Sequence, residues 1–171
     1  LFAVFDGHGG SQASMYLASN FHLFLASAPS FGINAREALR EAWRYAERDL
    51  YETLQSQYRQ YKRRGEKRSF PRDGSTAAVV FIEGDTLYCA NCGDSQVFAF
   101  FADQEEPVAL TTKHSTGNEQ ELKRLRSAGA TIRYMGDSNK RSSFGCFFKR
   151  KNTEASRPRV FPGGLAITRS F

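Results

Sequence analysis

Phe5-Asp6-Gly7-His8-Gly9-Gly10 sets a carboxylate, a backbone carbonyl and an imidazole side by side in one glycine-rich stretch. Carboxylate and carbonyl oxygens are hard donors that suit Mg²⁺ or Mn²⁺ rather than zinc. The three glycines leave the backbone unshielded, so a hydrated metal or a small anion can approach closely. His8 can exchange a proton near neutral pH. A plain turn with a solvated Asp and His is an equally open reading at this point, since turns favour these residue types. A second motif, Cys89-Ala90-Asn91-Cys92, has CxxC spacing, yet no second CxxC or histidine pair completes a zinc site. It reads as two small residues on a strand and its turn. With Cys146 the cysteines number three, which makes no disulfide framework and fits a reducing compartment.

The elements that must position these groups follow from periodicity. Leu1-Phe2-Ala3-Val4-Phe5 is long enough for a buried strand and too short for a typical helix, so Asp6 is expected at a strand's carboxyl end. Ser11 is the expected cap of a helix with Ala13, Leu17, Phe21, Phe24 and Leu25 on its apolar face, ended by Pro29 and Gly32. Asn34, with Glu37 three residues on, opens a long amphipathic helix to about Tyr61, striped by Leu39, Trp43, Ala46, Leu50, Leu54 and Tyr58. Lys62 to Arg68 reads as an exposed charged linker.

From Gly74 the pattern turns to strands. Residues 75–82, 86–91 and 96–101 are joined by tight turns, which implies an antiparallel meander and excludes a Rossmann arrangement; 108–111 is a short fourth strand. Asn118 opens a short helix with Leu122, Leu125 and Ala128 inward, closed by Gly129. Thr131-Ile132-Arg133-Tyr134 is a strand, residues 136–159 a long polar, basic loop, and residues 163–171 the start of another strand.

The 171 residues suffice for one domain with a core, and 40% hydrophobic content argues for a globular chain. No run is long and apolar enough for a membrane span. Both ends fall within apolar stretches, so a fragment is expected. The net charge of +6 is concentrated in residues 59–72 and 140–159, and the remainder is acidic on balance. That suggests an acidic catalytic body with basic loops, and neither basic stretch matches a nucleic-acid-binding motif.

Taken together the motifs resemble those of the metal-dependent PPM family, the type 2C serine/threonine phosphatases. The resemblance rests on Phe5-Asp6-Gly7-His8-Gly9-Gly10, Gly74-Ser75-Thr76-Ala77, Asn91-Cys92-Gly93-Asp94-Ser95, the helix with Glu121, Arg124, Ala128 and Gly129, and Gly164-Leu165-Ala166-Ile167-Thr168-Arg169-Ser170-Phe171. It implies an α+β fold, a four-layer sandwich of two antiparallel β-sheets flanked by α-helices, of which residues 1–171 hold part, with basic loops near 59–72 and 136–161. It further implies that Asp6 bridges two Mg²⁺ or Mn²⁺ ions, that the Gly7 carbonyl binds one of them, and that His8 is the general acid. Ser75 and Asp94 are expected to be architectural.

Departures from the family pattern also matter. The family's phosphate-binding Arg would precede this chain and further metal-binding aspartates would follow it, so the fragment alone is expected to be inactive. Lys113-His114 stands where Asp-His is common, which puts a third metal in doubt; Gln96 replaces a common Arg. The implied function is hydrolysis of phosphoserine and phosphothreonine in phosphoproteins, by a monomer in cytoplasm or nucleus with no nucleic-acid partner. The alternative is a catalytically dead pseudophosphatase that serves as a scaffold.

Overall fold

A computed structural model describes residues 1–134 and 158–171. The chain forms two compact units, residues 1–113 with 170–171, and residues 114–169. In the first, β1 (Phe2–Val4) runs antiparallel to β4 (Ala77–Glu83), and β4 pairs with β5 (Thr86–Cys92) in the order β1-β4-β5. The register Val4↔Ala78 and Ala77↔Cys92 aligns the end of β1 with the start of β4. β1 is an edge strand and not a buried one: Phe2 is 68% and Val4 64% exposed, because no described element covers that face. The expected meander stops after two strands. The third stretch forms only β6 (Phe98–Ala99), which pairs with β7 (Val108–Ala109) rather than with β5.

Helices α1 (Gln12–Ala26) and α2 (Ala35–Arg63) cover the sheet. Leu17, Phe21 and Leu25 meet Ala38, Leu39, Ala42 and Ala46, with Ala77 and Val79 of β4 beneath them. The alanine row on α2 lies four residues apart on one face, which lets the two helices approach closely. Burying a side chain such as Phe21 or Leu17 contributes about 1.5–3 kcal/mol. Phe21 meets the Trp43 edge at 5.1 Å, and Trp43 stacks on Phe171 at 5.4 Å. Asn34 caps α2 by accepting from the Glu37 N–H at 3.1 Å. Ser11 does not cap α1 through its side chain; the Asp73 carboxylate accepts from the Gln12 N–H at 3.0 Å instead. A side chain 61 positions away does the work assigned to a neighbour, which no local pattern can reveal.

In the second unit α3 (Glu119–Ser127) is capped by Asn118, whose Oδ1 accepts from the Gln120 and Glu121 N–H groups. β8 (Thr131–Tyr134) pairs antiparallel with β9 (Pro158–Phe161). β9 begins inside the stretch read as a loop. Residues 135–157, with Cys146 and most of the basic insertion, lie outside the described residues. Residues 163–171 form no regular strand; Leu165 and Ile167 make single bridges to Val160 and Ser115. Pro162, Gly163 and Gly164 are taken up by the turn after β9, and the bridges of Leu165 and Ile167 go to different segments, so no continuous ladder forms. On α3 the inward position belongs to Glu121, 5% exposed, beside Leu125, whereas Ala128 is exposed at the helix end.

Glu121 is the polar hub of that unit. Its carboxylate accepts from Arg169 at 2.6 and 2.9 Å, from Arg124 at 2.9 and 3.2 Å and from Thr168 at 2.8 Å. The Arg169 hydrogen bonds, with Arg124 and Thr168 adding and burial opposing, hold its carboxyl well below the ordinary value of 4.5. The folded pKa is the depressed one, so this stabilisation is complete above the ordinary value and is lost as pH falls from there towards it. Glu121→Gln is expected to cost about 2 kcal/mol at neutral pH, less than the 3–5 kcal/mol of a fully buried pair. The discount follows because Arg124 and Arg169 are 43% and 45% exposed. Urea melts should show the gap to wild type narrowing as the buffer is acidified below about pH 4.5. A gap independent of pH would rule out this ion-pair origin.

Candidate active site

The chain leaves β1 at Phe5, whose ring packs on Phe21 at 5.7 Å and thereby anchors the strand end to the core. The next residues enter β2 (Gly7–His8), which pairs antiparallel with β3 (Gly74–Ser75) in the register Gly7↔Ser75, His8↔Gly74. The Asp6 carbonyl accepts from the Thr76 N–H at 2.8 Å and from the Ser75 hydroxyl at 3.3 Å. The Asp6 carboxylate itself is exposed, and among the described residues no side chain is bonded to it.

The ladder decides where Gly7 points. Because Asp6 and Thr76 exchange a bond in this register, Gly7 and Ser75 form a non-hydrogen-bonded pair and turn their own polar groups outward. On the Ser75 side those groups are taken by Phe171, through bonds of 2.9 and 3.3 Å. On the other side the register turns the Gly7 carbonyl away from β3, one residue along from the exposed Asp6. These two hard oxygen donors fit a divalent cation such as Mg²⁺ or Mn²⁺. No group of three or more His, Cys, Asp or Glu that could hold a metal ion forms among the described residues.

His8 is half-buried, and its Nε2 is enclosed with no hydrogen-bond partner among the described residues. Its ring lies directly over Gly74. A Cβ there would overlap the ring and sit 2.8 Å from the Phe171 carbonyl oxygen, so only glycine fits. Gly74→Ala is accordingly expected to lower stability by about 1–3 kcal/mol, the range of overpacked interiors, measurable by urea melts. A variant as stable as wild type would show that the ring moves aside without cost. Gly9 has φ +74, and a Cβ there would lie 2.5 Å from the Arg72 carbonyl oxygen. Arg72 and Asp73 therefore pack tightly against this loop.

Two further motifs, both in the first unit, support this loop. Ser75 is fully buried, and its one hydroxyl proton is shared between the Thr76 carbonyl at 2.7 Å and the Asp6 carbonyl at 3.3 Å. Thr76 and Ser95 share a hydroxyl bond of 2.6 Å, which joins Gly74-Ser75-Thr76-Ala77 to Asn91-Cys92-Gly93-Asp94-Ser95. Asn91 donates to the Thr112 carbonyl at 2.8 Å. Cys89 and Cys92 stand three residues apart on β5, so their side chains leave opposite faces and cannot chelate one ion. Burial pushes the Cys89 thiol up, the reverse of a reactive cysteine. In the second unit the His114 imidazole is lowered by burial first and by Arg169 next. Both favour the neutral ring, whose Nδ1 is enclosed and unpartnered among the described residues.

The family model for protein phosphatase 2C matches residues 1–171, the whole chain. The chain belongs to the protein phosphatase 2C family. It is 32% identical to "Probable protein phosphatase 2C 52" of Oryza sativa subsp. japonica over 136 residues, 80% of this chain and 25% of that relative. Against "Probable protein phosphatase 2C 76" of Arabidopsis thaliana it is 33% identical over 136 residues, 80% of this chain and 29% of the relative. It therefore spans between a quarter and a third of these two proteins. Among solved structures, that of a C. elegans sex determining protein superposes with TM-score 0.65 and 26% identity, over 98% of this chain and 34% of that one. The phosphatase 2C of Toxoplasma gondii matches with TM-score 0.63 over 93% of this chain and 49% of that one; at 17% identity this likeness shows the fold alone. The α+β arrangement of antiparallel sheets and helices is thus part of a phosphatase 2C domain. No described helix is long and apolar enough to cross a membrane.

Proposed function

We propose that the protein to which this chain belongs hydrolyses phosphoserine and phosphothreonine in phosphoproteins and requires Mg²⁺ or Mn²⁺. The observation that carries this reading is the exposed Asp6 carboxylate beside the outward-facing Gly7 carbonyl, with His8 next in sequence. Asp6 and Gly7 would hold the metals, together with acidic residues outside those described. A bound metal pair supplies a water of lowered pKa and neutralises phosphate oxygens. The chain's own residues do the rest. β1 and the Phe5 anchor fix the height of Asp6, and the β2–β3 ladder keeps the Gly7 carbonyl turned out. His8 holds the proton that the departing serine or threonine oxygen needs, since an alkoxide leaves poorly without one.

The direct test is phosphate release from a phosphothreonine peptide by the complete protein, with Mn²⁺ and with chelator. Metal-dependent turnover is the expected result. A folded, metal-loaded protein that releases no phosphate would sink the enzyme reading and leave the domain as a scaffold.

A further inference from the structure

The last buried residue of α2 is Leu54, yet the helix continues to Arg63, so its final two and a half turns add no residue to the buried core. Residues 59–72 carry seven lysines and arginines and one glutamate, while the rest of the first unit carries five basic against thirteen acidic residues. Charge is thus strongly segregated within one unit. Lys62 and Arg63 in the last turn complement the helix dipole, which calls for one or two cations and not seven.

This arm is a folded feature. Phe70 turns back onto α2, 5.4 Å from the Tyr58 ring and 6.4 Å from Tyr51. Arg68 lies 4.5 Å over Tyr61 and pairs with Glu66 at 2.8 Å, and the Glu66 N–H donates to the Tyr61 carbonyl at 3.0 Å. Glu66 is thereby committed to Arg68. Among the described residues no carboxylate lies within ion-pairing distance of Arg59, Arg63, Arg64, Lys67 or Arg72, and all five are exposed. The arm ends at Arg72, whose carbonyl abuts Gly9 of the candidate active-site loop. The C-terminal end of the arm thus lies against the loop that follows Asp6 and His8.

We propose that the arm formed by the free end of α2 and residues 64–72 is a docking surface for an acidic segment of a protein substrate. That the partner is a substrate rests on the phosphatase reading above; that the surface takes an acidic segment does not. A flexible acidic peptide can engage the arm alone. A nucleic-acid duplex or an anionic membrane is an extended polyanion, and it would also meet the repulsion of the thirteen acidic residues in the rest of this unit. Within residues 55–72 the large exposed hydrophobic side chain is Phe70, 36% exposed, and it is turned onto Tyr51 and Tyr58, which leaves little apolar surface for insertion into lipid. Charge complementarity of this kind acts chiefly on encounter rate and partner choice.

The test measures fluorescence anisotropy of a labelled Asp/Glu-rich peptide, about a dozen residues long, on the intact protein, beside a neutral Ser/Gly peptide of equal length. The acidic peptide is expected to bind, more weakly as salt rises from about 50 to 200 mM. Arg63→Glu, Arg64→Glu and Lys67→Glu together should weaken it at least tenfold, and Gln at the same positions by less. The Lys and Arg exchanges Arg63→Lys, Arg64→Lys and Lys67→Arg should retain binding, and p-nitrophenyl phosphate turnover should be unchanged throughout. If reversal unfolds the protein, the Gln set decides. Equal binding of acidic and neutral peptides, or binding indifferent to every variant, overturns the proposal. Tighter binding to single-stranded RNA or to phosphatidylserine vesicles overturns it too and reassigns the arm. Acidic-peptide binding with no turnover of any phosphate ester would remove the phosphatase reading and leave the docking surface standing.

Discussion

Asp6→Asn in the intact protein is expected to reduce metal-dependent phosphate release by more than about 100-fold, since losing only an outer partner of a metal ligand already costs about 10–100-fold. The fold should survive. Asp6 serves the structure through its backbone carbonyl, which accepts from Thr76 and Ser75, whereas its carboxylate is exposed. Asparagine keeps the shape and the backbone bond and removes the anionic donor that a hard cation requires. Thermal stability should therefore change by no more than about 0.5 kcal/mol, as for other surface substitutions. The measurement is initial rate against Mn²⁺ concentration for both proteins, with melting curves alongside. Turnover and Mn²⁺ dependence equal to wild type would remove Asp6 from the metal site and with it the proposed mechanism.

His8→Ala should divide substrates by their leaving group. Release from phosphothreonine is expected to fall by about 10²–10⁴, the usual contribution of a positioned general acid. Release of p-nitrophenolate, which departs without protonation, should change little. The enclosed, unpartnered Nε2 bears on stability as well. Leaving a buried polar atom unsatisfied costs about 1–3 kcal/mol. Removing it offsets the packing lost where the ring covers Gly74, so the net change in stability should be small. Equal losses with both esters would show that His8 positions the loop and transfers no proton.

The long, strongly patterned elements were legible before any coordinates. The apolar stripe of α2, the Asn34 and Asn118 caps and the β4–β5 hairpin all follow from local periodicity and cap chemistry. The neighbourhood of Asp6, Gly7 and His8 was legible because sequence adjacency alone puts those groups together. Misreadings gather where a distant residue competes with a local one. Ser11 has the right type for a cap, but Asp73 is held nearer the Gln12 N–H by the β2–β3 pairing. Residues 96–101 have strand composition, yet only two of them pair, since composition does not name a partner. Glu121 sits at a capping-box position, and its carboxylate turns inward because two arginines and a threonine outbid water for it.

By itself the sequence determined the element types, the segregation of charge into residues 59–72 and the chemistry available at Asp6-Gly7-His8. The surroundings of those groups come from the tertiary structure. The direction of the Gly7 carbonyl depends on a ladder register with residues almost seventy positions away, and the enclosure of the His8 ring depends on Gly74 and Phe171. Neither is encoded in neighbours along the chain, because strand pairing and close packing are settled by long-range contacts that no local propensity contains.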